Sequence, residues 1–314
     1  MKLNKNTPYN AEKQLAKLKK QSNAMQDLLF LNKHEDYASI NIKLRNCSMS
    51  SIIDTTKNRI DQQRQSCGLL FCPICASTQR INREVAIAYR VIDKIIAKNL
   101  GSGKKSKPVL KLLTLTVPKV LPHELEASFK KLKQDFKMLL NTKMTKKSGK
   151  IVSFNDSLLG CSVYYHLSVS NDCHGYPTVG VHLHAVLLLR PSFSGADAIT
   201  GIMIKDYWMI VTGLHDSLET NIKSIQATST DFKNTNRYGL NRFNFDDIIA
   251  NPRKFIEILP YIQGKHFCSH SGVLRTYRNK VRAEYAEEQR IEKKAKTLLE
   301  IEARKDAYVV VSNS

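Results

Sequence analysis

The chain has 314 residues, of which 42% are apolar and 25% charged, enough for one large or two ordinary domains and too apolar for a disordered chain. A net charge of +21 and a pI of about 9.7 point to a polyanionic partner, nucleic acid first and an acidic membrane surface second. No apolar run of about 18 residues occurs and none follows Met1-Lys2-Leu3-Asn4-Lys5, so a membrane-spanning or signal-exported protein is not expected and a cytoplasmic one is.

The charge is uneven. Residues 1–107 carry 20 Lys/Arg against 8 Asp/Glu, a net +12, and Lys130 to Lys150 holds eight lysines and one acid, Asp135. A surface that was merely soluble would more often mix the signs, so DNA or RNA is the favoured partner. Residues 1–35 place Leu15, Leu18, Met25, Leu28 and Leu29 at loosely helical spacing, predicting an exposed helix or a flexible arm.

Seven cysteines without an export signal suggest thiols or metal ligands in preference to disulfides. Cys72-Pro73-Ile74-Cys75 resembles a zinc knuckle, with Cys47 and Cys67 available to complete four sulfur ligands; buried free cysteines are the alternative. Arg80 to Asn99 then carries Ile81, Val85, Ile87, Ala88, Val91, Ile92, Ile95 and Ile96 as a helical stripe beside Arg80, Arg83, Arg90, Lys94 and Lys98. Gly101 to Pro108 reads as a basic linker and a domain boundary.

Val109 to Val117 predicts a strand. Leu125, Phe129, Leu132, Phe136, Leu139 and Leu140 predict an amphipathic helix with Lys130 and Lys131 on its polar face, and Thr142 to Lys150 a solvated loop. A strand from about Ser162 to Ser170 alternates Tyr165, Leu167 and Val169 with His166, Ser168 and Ser170, and a turn rich in Gly and Pro leads into Val181-His182-Leu183-His184-Ala185-Val186-Leu187-Leu188-Leu189. Alternate strand residues share a face, so His182 and His184 stand about 7 Å apart on one side, at roughly 3.3 Å per residue. Two such imidazoles can grip a divalent cation and leave positions open, and an antiparallel partner strand would bring in His166 as a third ligand. A pair of hydrogen-bonded sheet histidines is the plainer reading.

Residues near 206–211 are helical and hold the only tryptophan, Trp208. Residues 221–240 are polar, a strand with a loop. Asn251-Pro252 opens a helix that carries Glu257, Tyr261 and Lys265 at i, i+4 and i+8 on one face, although Pro260 favours a kink. A tyrosine hydroxyl can attack a phosphodiester when positive charge drains the phosphate; a neighbouring carboxylate can activate water, and a lysine can hold the phosphate. Residues 277–308 predict a charged, solvated helix.

Three segments together resemble the plasmid rolling-circle replication initiators, Rep proteins of the HUH endonuclease superfamily. They are Leu112-Leu113-Thr114-Leu115-Thr116-Val117-Pro118, Val181-His182-Leu183-His184-Ala185-Val186-Leu187-Leu188, and Glu257-Ile258-Leu259-Pro260-Tyr261 with Lys265, in that family's order. The Cys47 and Cys72–Cys75 region and the Trp208 segment are similar to parts of its longer members, and the likeness covers roughly residues 45–270. Two departures are Pro260, where a basic residue is common, and Lys265, four residues after the tyrosine where three is more usual.

The resemblance implies an α+β fold, an antiparallel sheet with flanking helices around an RRM/ferredoxin-like core, with helical N- and C-terminal extensions. The expected division is a basic region 1–107 with the Cys cluster, an endonuclease domain 108–275 and a charged helical extension 276–314. It implies a metal-dependent, site-specific nicking-closing enzyme acting on single-stranded DNA at a plasmid origin, with host helicase and polymerase as partners and no membrane. Tyr261 would form a 5′-phosphotyrosyl link and free a 3′-OH, Glu257 would activate water at termination, and Lys265 would assist. His182, His184 and His166 would hold Mg²⁺ or Mn²⁺, the Cys cluster Zn²⁺, and Arg80, Arg83, Lys130 and Lys131 would bind DNA. Many relatives take the third ligand from a Glu on the strand before the His-strand; here His166 occupies that strand. A transposase or mobilisation relaxase shares the chemistry, and a non-enzymatic zinc-containing DNA-binding regulator is the alternative of another class.

Overall fold

The computed structural model describes residues 11–31, 35–49, 51–54, 59–62, 67, 69, 72–77, 79–101, 108–146, 148–190, 199–214, 219–225, 252–262 and 267–312. In chain order come α1 (Ala11–Leu31), α2 (Glu35–Met49), the hairpin strands β1 (Ser51–Asp54) and β2 (Arg59–Gln62), α3 (Pro73–Ser77) and α4 (Gln79–Gly101). Then follow β3 (Val109–Thr116), a 3-10 turn Pro122–Glu124, α5 (Leu125–Asn141), β4 (Met144–Thr145), β5 (Ile151–Val152) and α6 (Phe154–Ser157). The chain continues through β6 (Leu158–Asn171), β7 (Pro177–Leu189), α7 (Gly201–Thr212), β8 (Thr220–Ile225), α8 (Pro252–Ile262), β9 (Cys268–Ser271) and α9 (Gly272–Ser312).

The longest strands, β6 and β7, form the hairpin that sets the architecture. Their turn closes because the Asp172 carboxylate accepts from the backbone N–H groups of His174 and Tyr176, both at 2.9 Å, and Gly175 takes φ +86°, a conformation that side chains disfavour. Around this hairpin a five-stranded sheet runs in the order β8-β3-β7-β6-β9, and every pairing is antiparallel. The fold is therefore mixed α+β, an antiparallel sheet with flanking helices.

Strand periodicity divides the sheet into two faces. Leu113, Leu115, Val163, Tyr165, Leu167, Val181, Leu183, Ala185 and Leu187 point into one core, which they share with α1, α2, α3, α5, α7 and α8. Leu110, Tyr164, Val186, Leu188 and Ile225 point the other way and are covered by α4, through Val85, Ile87, Val91, Ile92 and Ile95, and by Leu274 and Val281 of α9. Burying an aliphatic side chain of this size contributes ~1.5–3 kcal/mol, so the α4 stripe alone fixes that helix to the sheet.

Several expectations change. The segment expected as an exposed helix or arm is α1, and Leu15, Leu18, Met25 and Leu29 are buried against α2 and α3; its apolar stripe, though loose, has partners distant in sequence. The stretch expected as a loop from Thr142 to Lys150 supplies the first strand of a small hairpin, β4 with β5, because Met144 is fully buried and anchors it. α9 is solvated along much of its length, but its first half docks on α4, β6 and β9. There Arg278, only 4% exposed, and Arg282 meet Glu84, while Lys94 reaches Glu284 at 2.6 Å and Arg90 reaches Glu288 at 2.6 Å. Two of the basic residues read on the α4 stretch are thus tied to acids of α9. The linker at 102–107 and residues 226–250 lie outside the described residues.

Candidate functional site: an imidazole face and a thiol cluster

The register of β6, β7 and β3 builds the first candidate. His182 pairs with His166 across one ladder and with Thr116 across the other, and the next same-face row is Tyr164, His184 and Thr114. His166, His182 and His184 therefore share one face at one end of the sheet, beyond the part covered by α4 and α9. The His166 ring lies 6.1 Å from that of His182 and 6.4 Å from that of His184, centroid to centroid. Burial pushes the pKa of His166 and His184 down to about 4, aided by the neighbouring rings. His182 is lowered by burial too, with the Glu219 carboxylate opposing and Lys119 adding to the shift. Three neutral imidazoles result, and neutral imidazole is the form that ligates a metal. Two are held by hydroxyls, His184 Nδ1 by Thr114 Oγ1 at 3.1 Å and His182 Nε2 by Ser168 Oγ at 3.2 Å.

Glu219 is a residue that the sequence reading missed. Its carbonyl accepts from the backbone N–H of Thr116 at 3.1 Å, its own N–H donates to Thr116 Oγ1 at 2.9 Å, and Thr220 pairs with Leu115. These contacts set Glu219 opposite Thr116, in one row with His182 and His166 across four strands. The Trp208 indole N–H takes the Thr116 carbonyl at 2.9 Å and pins this corner to α7. A lone Glu before a polar strand carries no local signal; only the register of an edge strand brings it to the histidines.

The second candidate is tighter. The Sγ atoms of Cys47, Cys67, Cys72 and Cys75 all lie within 4.8 Å of one another, the only such metal-competent group among the described residues. Cys47 to Cys75 is 3.3 Å, Cys67 to Cys75 3.6 Å and Cys72 to Cys47 3.7 Å. A tetrahedron with Zn–S of roughly 2.3 Å has an edge of roughly 3.8 Å, so the donor set fits zinc. The knuckle forms because Cys72 precedes α3 and Cys75 sits in its first turn, where the Cys75 N–H points at Cys72 Sγ, 3.5 Å away. Hydrogen bonds from Cys47, Cys67 and Cys72 push Cys75 well below the ordinary thiol range, whereas hydrogen bonds with Cys47, Cys67 and Cys75, together with burial, push Cys72 up. Hydrogen bonds with Cys67 and Cys72 lower Cys47 as well. These four thiols can hold a metal such as zinc.

Glu257 and Tyr261 both lie in α8, exposed and half-buried respectively, with Pro260 inside the helix. Phe255, Ile258, Leu259 and Ile262 bury α8 in the core on the sheet face opposite the imidazoles, and Tyr261 packs against that core. α8 also rests on the 3-10 turn, which touches β7, while Val120 bridges to Val179 three residues before His182. The tyrosine helix is thus brought to the histidine end of the sheet but from the other face. Among the described residues no hydrogen bond or ring contact links Tyr261 to the imidazoles. Lys265 lies outside the described residues, as do the side chains of Arg80 and Arg83 in α4. Lys130 is exposed, whereas Lys131 is held by Asp135 at 2.8 Å. Among the described residues no helix is long and apolar enough to cross a membrane.

No family model, no curated protein and no solved structure matches the chain.

Proposed function

We propose that the chain is a metal-dependent DNA strand-nicking enzyme of the HUH type, an initiator of plasmid rolling-circle replication. The observation that carries this reading is the set of neutral imidazoles, His166, His182 and His184, on one face at the same end of an antiparallel sheet as the helix bearing Glu257 and Tyr261. On this reading the sheet is the HUH core with its RRM-like framework, and the histidines, with Glu219 in the row of His166 and His182, would hold Mg²⁺ or Mn²⁺. The bound cation would withdraw charge from the scissile phosphate.

The Tyr261 oxygen attacks phosphorus and the bond to the upstream 3′-oxygen breaks. A 5′-phosphotyrosyl link and a free 3′-OH remain, the proton passing from the phenol to the departing oxygen. Glu257, one helical turn away, removes a proton from water or from the returning 3′-OH when the strand is closed. Because α8 packs on the far face, the phosphate would bridge imidazoles and tyrosine over the end of the sheet. The net charge of +21 favours a DNA partner, with Lys130 among the exposed contacts and Arg80, Arg83 and Lys131 as further candidates. The four thiols would hold Zn²⁺ structurally.

A supercoiled plasmid carrying the cognate origin tests the reading. Nicking should need a divalent cation and leave a covalent adduct, and Tyr261→Phe should abolish the adduct. An adduct in the Tyr261→Phe chain, or unchanged nicking in the His182→Ala/His184→Ala chain, overturns it. A transfer origin or transposon end nicked in preference to the plasmid origin would reassign the chain to a relaxase or transposase. The packing of Tyr261 against the opposite core favours a second reading, a zinc-containing DNA-binding regulator without cleavage, and binding without any metal-dependent nicking would select it.

A further inference from the structure

We infer that the basic stripe of α4, Arg90, Lys94 and Lys98, is a surface for the phosphate backbone of DNA, and that the glutamates of α9 occupy it until the polyanion displaces them. This surface serves the DNA partner of the proposed function and so rests on that reading, but it needs no cleavage chemistry.

The three cations follow one another at intervals of four residues, so they line one face of α4 at about 6 Å spacing. α9 meets each of them. Lys94 Nζ lies 2.6 Å from Glu284 Oε1, and Arg90 Nη1 lies 2.6 Å from Glu288 Oε2. The Arg90 guanidinium also stands 5.2 Å from the centre of the Tyr285 ring, and the Lys98 ammonium 6.0 Å from that of Tyr277. Carboxylates one helical turn apart beside aromatic rings give these cations the two kinds of contact that a DNA strand offers, an anion and a π-face.

The grip of α9 is uneven along its length. Its start is locked: Gly272 takes φ +57°, and a Cβ there would run into the Leu159 carbonyl, so the chain turns into the helix hard against β6. Leu274 and Val281 are buried in the core that α4 shares, and Arg278 is fixed on Glu84. Beyond Val281 no described side chain of α9 is buried. There the helix is held to α4 by the Glu284 and Glu288 pairs and the Tyr285 contact, and the paired side chains are 36–54% exposed. Exposed pairs of this kind shift an equilibrium by no more than about fivefold each and weaken with salt. A DNA backbone that takes both cations also releases its counterions. It can therefore displace the two carboxylates while the buried half of α9 stays in place.

The test is binding of a mixed-sequence DNA duplex to the full zinc-loaded chain across a salt series, read by fluorescence anisotropy. Glu284→Gln/Glu288→Gln should tighten binding roughly tenfold at about 0.1 M salt and steepen the log–log salt slope by about 1.8, which is about 0.9 for each freed cation. Glu287→Gln/Glu292→Gln removes the same charge from the same helix, but those acids pair with Arg290 and Gln289 of α9 itself. It should change affinity less than about twofold. Adding Arg90→Gln/Lys94→Gln to the first variant should erase its gain. In hydrogen exchange, DNA should strip protection from residues 284–292, because an unpacked helix is marginal in water, while 274–281 stay protected. An equal gain from both glutamine pairs, no gain from the first, or unchanged protection of 284–292 in the complex overturns the inference. Nicking lost with these binding results intact overturns the enzyme reading alone, and a chain that binds no DNA even at low salt in either form overturns both.

Discussion

The thiols of Cys47, Cys67, Cys72 and Cys75 lie within 4.8 Å of one another in a largely buried helical layer, whereas the His166 ring stands 6.1 and 6.4 Å from those of His182 and His184 at a partly buried end of a sheet. The first group is close to the size of a zinc–thiolate tetrahedron and has four protein donors, so a metal there has no vacant position for a substrate. The second has fewer donors, wider spacing and neutral side chains held by hydroxyls, so a cation would keep positions for water or phosphate. Closure argues for stability in one region and openness for chemistry in the other. Four measurements can break or sharpen that contrast.

The largest effect is expected at the thiols. Cys72→Ser should drop zinc from one per chain to none by metal analysis, and α1, α2 and α3 should lose hydrogen-exchange protection, since such sites contribute about 10–16 kcal/mol to folding in small zinc peptides. Retained protection without zinc would make the cluster four buried thiols. Next, Tyr261→Phe should lower origin nicking at least about 10³-fold while shifting stability by less than about 1 kcal/mol. A larger stability loss with unchanged nicking would mark Tyr261 as a core residue.

The third concerns pH. Burial holds His166 and His184 at about 4 against an ordinary 6.5. Below about pH 6.5 the unfolded chain takes up protons that the folded chain refuses, so their contribution is complete above 6.5 and is lost as pH falls toward 4. The melting temperature of the Mn²⁺-free chain should fall through that window, and His166→Phe should flatten the fall. A melting curve equally steep in both chains would place the acid sensitivity elsewhere, for instance at His270, which burial and Arg282 also lower to about 4. The smallest effect is Glu219→Gln, expected to weaken Mn²⁺ about tenfold; unchanged affinity would leave Glu219 an exposed acid of the edge strand.

Much of the fold was legible because it rests on periodicity. The alternation around His166 and His182 and the three-four spacing around Phe129 predict the elements that the structure contains, and the Cys-Pro-Ile-Cys step predicts a knuckle. Legibility failed where partners come from afar. The stripe of α1 looked exposed because its neighbours lie in α2 and α3, and the glutamates that neutralise Arg90 and Lys94 are some 190 residues away. Glu219 was silent because an edge strand's register is not written in its own six residues.

The sequence by itself determined that His182 and His184 share a face, since the two-residue period of a strand is a local consequence of backbone geometry. It also determined that Glu257 and Tyr261 share a helix and that the chain is strongly basic. Only the tertiary structure decided that His166 and Glu219 join the histidine row, that Thr114 and Ser168 bond to it, and that α8 reaches this end from the opposite face. Those facts depend on which strands pair and on which core a helix buries its apolar side in, and such choices are made by contacts between residues far apart in the chain.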